Sequence, residues 1–466
     1  MNLKKLAKDI FFAVGAQGAS MLLSIVTSFI LPKFLGVAEF DYWQLFVFYV
    51  AYSGFFHLGI CDGLYLTEGG KRLESLDAGA VKSEFVFSAI YQGIFAVIIF
   101  CIAFLPGFER ERTIVLSMAA IYMVVYNCSL FLGFILQACG MIASYCVSVV
   151  IDRVLFIVLT IILILIGANT FVPYIVAYTI SKISSLVFCG LKTKNIICAN
   201  WLGLKDASRL SLRSIKIGIN LMIANVASQL VVGVARFVLD IGWGIETFGQ
   251  VSLTLSLVNF ILAFSTQVGM VIFPALRQSS ESTSGAFFSL CKSAYVLIAI
   301  GAYLLYFPVS YFMNIWLPDY SVGLSYLALV LPICVFDGRM NLCSSTLFKT
   351  LRFERDLLLV NAFSFILSLV FSVICGLWMH NVDLLLVGMV IAIFLRNLIS
   401  EIVLSRRLKS SLRAGDNVDL VLTVVFVAVV YCLDFFSALA VVMVTSVLIV
   451  AFRYKAIASD LKLFLN

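Results

Sequence analysis

Charge is what this chain has least of. Asp, Glu, Lys and Arg make up 12% of its 466 residues, about half the share in an ordinary soluble domain. With so few charges the chain cannot dress a water-facing surface, which excludes a soluble globular protein. Prolines are also few, at 7, so little interrupts long helices. The two histidines, His57 and His380, are isolated, and no C-x-x-C occurs among the 12 cysteines. Zinc sites and disulfide frameworks are thereby disfavoured, and Cys61, Cys101, Cys128, Cys334 and Cys432 read as small buried hydrophobes. H-E-x-x-H, Walker A and G-x-S-x-G motifs are missing as well. No enzyme and no cofactor is expected. Any transport must then be driven by a gradient or by the substrate itself.

What is present is apolar sequence in long runs. The chain is 62% hydrophobic with a mean hydropathy of +1.10. The runs approach the ~20 residues that a membrane-spanning helix needs. They predict spans near 10–31, 42–66, 84–105, 113–137, 146–167, 172–190, 217–239, 248–275, 288–313, 324–347, 357–378, 383–404, 419–433 and 436–452. The fold class is therefore an all-α polytopic membrane protein of about 14 transmembrane helices. Alternating short strands are absent, which argues against a barrel. The basic opening Met1-Asn-Leu-Lys-Lys-Leu-Ala-Lys8 resembles a signal start. No small-residue cleavage site follows the run to Leu31, so it is expected to be a retained first helix.

The formal charge of +7 does not point to nucleic acid, because the basic residues lie between the apolar runs. With both ends inside, about 24 Lys/Arg fall on inner segments (Lys292, at the inner end of its span, counted with them), three (Lys33, Arg110, Arg112) on outer ones and five deeper within spans, which accounts for all 32. That asymmetry is the positive-inside pattern. Both termini and the basic segment Leu191–Ile215 (Lys192, Lys194, Lys205, Arg209, Arg213) are expected in the cytoplasm.

The chain also repeats itself. Sliding Lys8–Val50 forward by 208 positions brings 12 of 43 residues into coincidence, including Lys8/Lys216, Ala19-Ser20/Ala227-Ser228 and a shared Gly-x-x-x-Phe at Gly36/Phe40 and Gly244/Phe248. Six crossings separate the copies, so both halves point the same way and their pseudo-axis should follow the membrane normal. The domain reading is an N-terminal six-helix lobe (1–190), a cytoplasmic linker (191–215), a C-terminal six-helix lobe (216–406) and a C-terminal helix pair with tail (407–466).

A charge at the bilayer centre costs roughly 2.5–3.5 kcal/mol on insertion scales, so each one kept there needs a reason. Arg153, Lys182, Arg236, Arg339 and Arg396 are such cations, and they are the candidates for holding an anionic substrate. Lys182 and Arg396 lie near mid-span, and each is followed ten residues later by another cation (Lys192, Arg406). Asp240, at i+4, is placed to pair with Arg236. Asp337 and Arg339 (i, i+2) and the adjacent Asp152 and Arg153 lie on different helix faces, so partners must come from elsewhere. Asp62, Asp240, Asp337 and Glu401, with Glu68, are the candidates for a coupling ion, H+ or Na+. Asp62 sits in the glycine-broken His57-Leu-Gly-Ile-Cys-Asp-Gly63, where exposed backbone needs protein or a watery cavity beside it. Pro274 and Pro332 are expected to kink the eighth and tenth spans.

Phe29-Ile-Leu-Pro-Lys-Phe-Leu-Gly36, Phe40-Asp-Tyr-Trp43 and Leu58-Gly-Ile-Cys-Asp-Gly-Leu64 resemble the opening of bacterial polysaccharide flippases. These are the O-antigen translocases (Wzx type) of the multidrug/oligosaccharidyl-lipid/polysaccharide (MOP) exporter superfamily. Asp41 stands where a glycine is commoner in that family. The resemblance implies two six-helix lobes with an extra helix pair, in the bacterial inner membrane. It implies alternating access through a cationic cavity that carries undecaprenyl-diphosphate-linked oligosaccharide to the periplasmic leaflet, in the service of O-antigen and lipopolysaccharide biosynthesis. It further implies a monomer among membrane lipids, contact with a polysaccharide polymerase and a chain-length regulator, and no nucleic acid. Trp43, Tyr49, Tyr126 and Phe264 are then candidates to face sugars.

Two other readings compete. An ion-coupled drug or metabolite antiporter of the same superfamily would be expected to carry acids at the cavity centre. Here the acids look mostly peripheral, and five cations oppose them. An O-antigen polymerase or ligase would carry a long periplasmic loop, whereas no outer loop here much exceeds ten residues.

Overall fold

The computed structural model describes residues 3–107, 109–277, 281–408 and 418–465. Side chains are described for these except at 3–10, 264–277, 281–284, 456–458 and 460–465. Pro274 and Phe264 thus lie outside the described side chains. Among the described residues the chain is helical without strands. The principal helices are α1 (Leu3–Ile25), α2 (Val37–Ala51), α3 (Ile60–Glu68), α4 (Ala78–Ala103), α5 (Arg110–Ala138), α6 (Ile142–Leu165), α7 (Phe171–Lys192), α8 (Leu204–Trp243), α9 (Ile245–Arg277) and α10 (Glu281–Trp316). They continue as α11 (Leu327–Thr350), α12 (Glu354–Trp378), α13 (Val382–Arg407), α14 (Val418–Cys432) and α15 (Phe435–Leu465).

Among the described residues twelve helices are long and apolar enough to cross a membrane, and the bent pair Val37–His57 with Ile60–Glu68, taken as one span, makes a thirteenth. α14, in the place of the remaining expected span, has 15 residues. At the α-helical rise that is about 22 Å, short of a ~30 Å hydrocarbon layer. The apolar side chains on the outside, such as Ile94, Val97 and Ile98 of α4, are exposed as lipid-facing residues should be. Helix starts are set locally: Asp77 accepts from the Ala80 N–H at 3.0 Å and Asn381 from Leu384 at 3.0 Å, each relieving an orphan donor of a first turn.

The chain forms two compact units, Met1–Val226 and Ala227–Asn466, with the division inside α8. The segment expected as a loop at 191–215 is largely helical. A short helix covers Lys194–Ile197, and α8 already begins at Leu204. The residues between them are pinned to α4, Lys82 Nζ donating to Ala199 O (2.6 Å) and the Leu202 N–H to Ser83 Oγ (3.0 Å).

In the first unit, the glycine-broken span is real. A 3-10 turn, Ser53–His57, leads into left-handed Leu58 and Gly59, and the two arms meet at 53°. Its freed backbone groups are satisfied by protein: Asn127 Nδ2 donates to Ser53 O (2.8 Å), Tyr91 Oη to His57 O (3.0 Å), and the Gly59 N–H to His57 Nδ1 (2.9 Å). Such provision is what allows irregular backbone at membrane depth. α3 also crosses α8 at van der Waals contact. A Cβ on Gly63 would fall 1.9 Å from Ser214 O, and one on Gly218 2.1 Å from Gly59 O, so these small residues set the approach of the helices.

The duplication survives in the backbone. Gly36 (φ 75°) and Gly244 (φ 82°) both take positive φ at the junction of two helices. The amide four residues on closes a turn to each, Phe40 N–H to Gly36 O at 3.0 Å and Phe248 N–H to Gly244 O at 3.2 Å. Both phenylalanines are fully buried. The aligned Gly-x-x-x-Phe is therefore a left-handed hinge followed by a core anchor, a conformation that glycine adopts without steric cost.

In the second unit, Pro332 opens a new helical segment within α11, and a π turn at Met340–Ser344 follows Arg339. The C-terminal pair is part of this unit's core. Phe426 of α14 stacks on Tyr303 of α10 at 4.4 Å, and Tyr303 Oη and Thr423 Oγ1 share a 2.6 Å hydrogen bond.

Candidate functional site

The first unit gathers two of the five cations around one carboxylate. α6 supplies Asp152 and Arg153, and α7 supplies Ser181 and Lys182. Asp152 is almost wholly buried; its Oδ1 accepts from Ser181 Oγ (3.0 Å) and its Oδ2 pairs with the Lys182 ammonium. Arg153 Nη1 also reaches Asp152 Oδ2, at 3.8 Å. Adjacency does not keep Asp152 and Arg153 apart, because a guanidinium stem is long enough to curl back. At that distance the contact is Coulombic without a hydrogen bond.

Around this trio stands an aromatic cluster. Trp43 stacks on Phe156 (5.7 Å), while Tyr178 meets Phe156 edge-on (4.9 Å) and lies over Tyr122 (5.2 Å). The Lys182 ammonium lies 5.6 Å from the Tyr126 ring centroid, within cation–π range. Trp43, Phe46, Phe156 and Tyr122 are buried core, so Trp43 at 1% exposure is in no position to face a sugar. Tyr126, Tyr178 and Arg153 are half-buried and form the cluster's accessible edge. The Arg153 side chain keeps 26% of its surface, and its Nε has no hydrogen-bond partner among the described residues. Among the described residues, the ion pairs here set two cations against one carboxylate, one positive charge in excess.

In the second unit three cations meet three carboxylates. Arg396 of α13 pairs with Asp337 of α11 and donates from Nη1 to Ser228 Oγ at 3.0 Å, while Asn341 Nδ2 donates to Asp337 Oδ2 at 3.1 Å. Arg339 takes the opposite face, as the i, i+2 spacing requires. Its Nε lies 2.8 Å from Glu401 Oε1 and its Nη1 3.0 Å from Asp419 Oδ2. Lys292 Nζ adds a third cation at 3.8 Å from Glu401 Oε2, and Asn397 Nδ2 donates to Glu401 Oε1 at 3.0 Å. Arg339 and Arg396 are each 1% exposed. Arg236 is half-buried, donating from Nε and Nη2 to Ser252 Oγ (3.1 and 2.8 Å) with its guanidinium 5.0 Å from the Phe248 ring.

The acids are accordingly not peripheral. Asp152, Asp337, Glu401 and Asp419 sit among the cations, so counting cations against acids no longer separates a flippase from an antiporter. Of the other coupling candidates, Asp62 is buried with Oδ2 3.8 Å from His57 Nε2, Asp240 is half-buried near the end of α8, and Glu68 pairs with Lys71 at 2.8 Å. Lys292 and Asp419 escape sequence reasoning because each lies within a turn or so of a span's end, where a charge looks interfacial. The signal was the i+4 spacing of Asn397 and Glu401 on the helix of Arg396, which marks a polar face needing partners.

Comparison with solved structures identifies the fold. The chain superposes on the lipid II flippase MurJ in its inward closed conformation with a TM-score of 0.70, at 12% identity, over 96% of this chain and 100% of that one. It superposes on an inward-facing multidrug resistance MATE family transporter of the MOP superfamily with a TM-score of 0.57, at 15% identity, over 84% and 95%. A MATE in the straight conformation gives 0.51 at 15% identity, over 86% and 96%. No family model and no curated protein sequence matches the chain. The fold is that of membrane transporters of the MOP type.

Proposed function

We propose that this chain is a flippase that carries a polyprenyl-diphosphate-linked oligosaccharide, of the O-antigen repeat-unit kind, from the cytoplasmic to the periplasmic leaflet of a bacterial inner membrane, with both termini cytoplasmic. The observation that carries this reading is the uncompensated charge in the first unit. Arg153 and Lys182 share Asp152, and Arg153 lies at the edge of an aromatic cluster with Tyr126 and Tyr178 beside it. A guanidinium fork matches a diphosphate, an ammonium adds a point charge, and tyrosine faces suit sugar rings. The full-length likeness in fold to a lipid II flippase supports the same reading.

Arg339 and Arg396, assigned to the substrate on sequence grounds, serve instead as internal ties between helices in this proposal. An ion-coupled antiporter is the second reading; the buried acids of the second unit and the likeness to MATE transporters favour it. Deleting the gene in its host separates the two. A flippase leaves undecaprenyl-linked repeat units on the cytoplasmic face and removes the surface polysaccharide. Unchanged polysaccharide, with no second flippase in the genome, would favour the antiporter.

A further inference from the structure

Between Leu191 and Lys216 the chain carries cations in excess of any acid beside them. Lys192, Lys194, Lys205, Arg209, Arg213 and Lys216 share that stretch with one carboxylate, Asp206. All six are exposed, and among the described residues no ion pair engages them. Basic residues at other span ends are treated differently: Lys71 pairs with Glu68 at 2.8 Å and Arg407 with Asp356 at 3.0 Å. Topology alone needs only the charge. This segment also exposes apolar side chains, Trp201 and Leu202 at 47% each and Leu204 at 57%.

The first turns of α8 sort their residues by face. Ala207, Ser211, Ser214 and Gly218, at steps of four, three and four residues, are buried and form the inward stripe. Lys205, Arg209, Leu212 and Lys216 repeat the same steps on the opposite side, and all four are exposed. Three cations thus line about 16 Å of helix with a leucine among them.

The depth of the segment is set by α4. Lys82 Nζ donates to Ala199 O (2.6 Å), the Leu202 N–H to Ser83 Oγ (3.0 Å) and Ser214 Oγ to Glu84 Oε2 (3.0 Å). Trp201 is thereby held beside the second turn of α4. That helix has 26 residues, about 39 Å against a ~30 Å hydrocarbon layer, which leaves its end turns among headgroups. Tryptophan favours that depth, and lysine and arginine lay their stems along apolar surface there with the charge outward.

We infer that this segment is a docking surface for anionic phospholipids of the leaflet it faces, the cytoplasmic one on the topology proposed above. Lys205, Arg209 and Lys216 hold headgroup phosphates, while Trp201, Leu202 and Leu212 enter the edge of the acyl layer. Cations interleaved with leucine and tryptophan are the pattern by which interfacial segments select anionic membranes. An acidic protein would answer the cations as well, but the position of Trp201 beside α4 favours lipid. The inference does not depend on which substrate is carried.

Quenching of Trp201 by brominated lipid tests it. The full-length protein is reconstituted in mixed vesicles of phosphatidylcholine and phosphatidylglycerol, with bromine on the acyl chains of one lipid or the other. The difference between wild type and Trp201→Phe isolates the signal of Trp201. Brominated phosphatidylglycerol is expected to quench that signal about twofold more than brominated phosphatidylcholine, because each surface cation attracts anionic lipid. The preference should disappear in the triple variant Lys205→Gln, Arg209→Gln, Lys216→Gln and at high salt, and persist when the same three positions exchange lysine for arginine. Glycerol 3-phosphate at constant ionic strength should leave it unchanged; its loss would assign the cations to free phosphate and overturn the lipid reading. Equal quenching by the two lipids in wild type would overturn the proposal, as would a Trp201 that neither lipid quenches. The comparison of lipids and of salt in wild type decides the matter even if the glutamine variant fails to insert.

Discussion

Two arginines of the same type face opposite fates here. Arg396 is closed inside the second unit against Asp337 and Ser228, whereas Arg153 reaches the edge of the first unit's aromatic cluster. Removing Arg396 leaves a carboxylate facing its Asn341 amide in place of a cation, and breaking a buried pair in this way costs about 3–5 kcal/mol. Arg396→Ala should therefore lower the melting temperature in detergent markedly, with protein levels falling alongside. Arg153→Ala, which loosens a long, partly exposed contact, should cost about 1 kcal/mol or less. Equal melting temperatures for the two variants would contradict this division of labour. The sequence made the five cations conspicuous and placed Asp337 and Arg339 on different faces. It could not tell a tie from a binding group, because that depends on which helix brings the carboxylate. Asp419 comes from α14, 80 residues from Arg339, and no local period announces it.

At the scale of elements, the account turns on how closely helices approach. Gly63 and Gly218 stand where α3 and α8 touch backbone to backbone, whereas nothing lies within 4 Å of a Cβ at Gly18 in α1. Gly63→Ala should force the helices apart and cost about 1–3 kcal/mol, as overpacking does. Gly18→Ala should be neutral or slightly stabilising, since alanine is the better helix former. Thermal unfolding of both in detergent checks this, and a tolerated Gly63→Ala would mean the crossing is looser than described. The break at His57–Gly63 was legible from its glycines, and so was the repeat at Gly36 and Gly244, because glycine in an apolar run has few other uses. The helical character of the connecting segment was not legible. Its basic residues read as a loop, yet Lys192 ends α7, Lys194 begins the short helix after it and Lys205, Arg209 and Arg213 ride on the first turns of α8, which Lys and Arg, as good helix formers, do nothing to forbid.

For the whole molecule, the spans and their order follow from hydropathy, since the bilayer leaves the backbone few choices. Substrate identity is another matter. The same fold carries a lipid II flippase and multidrug transporters, so the assignment rests on the surplus positive charge at Arg153 and Lys182. The most direct test reconstitutes the purified protein in liposomes with a fluorescent undecaprenyl-diphosphate-linked oligosaccharide and follows the label's transfer between leaflets. Wild type should translocate it, Arg153→Lys should retain part of the rate, and Arg153→Ala, folded and inserted to the same level, should lose at least tenfold. A wild-type protein that moves no labelled lipid, or an Arg153→Ala protein that moves it at the wild-type rate, would contradict the account.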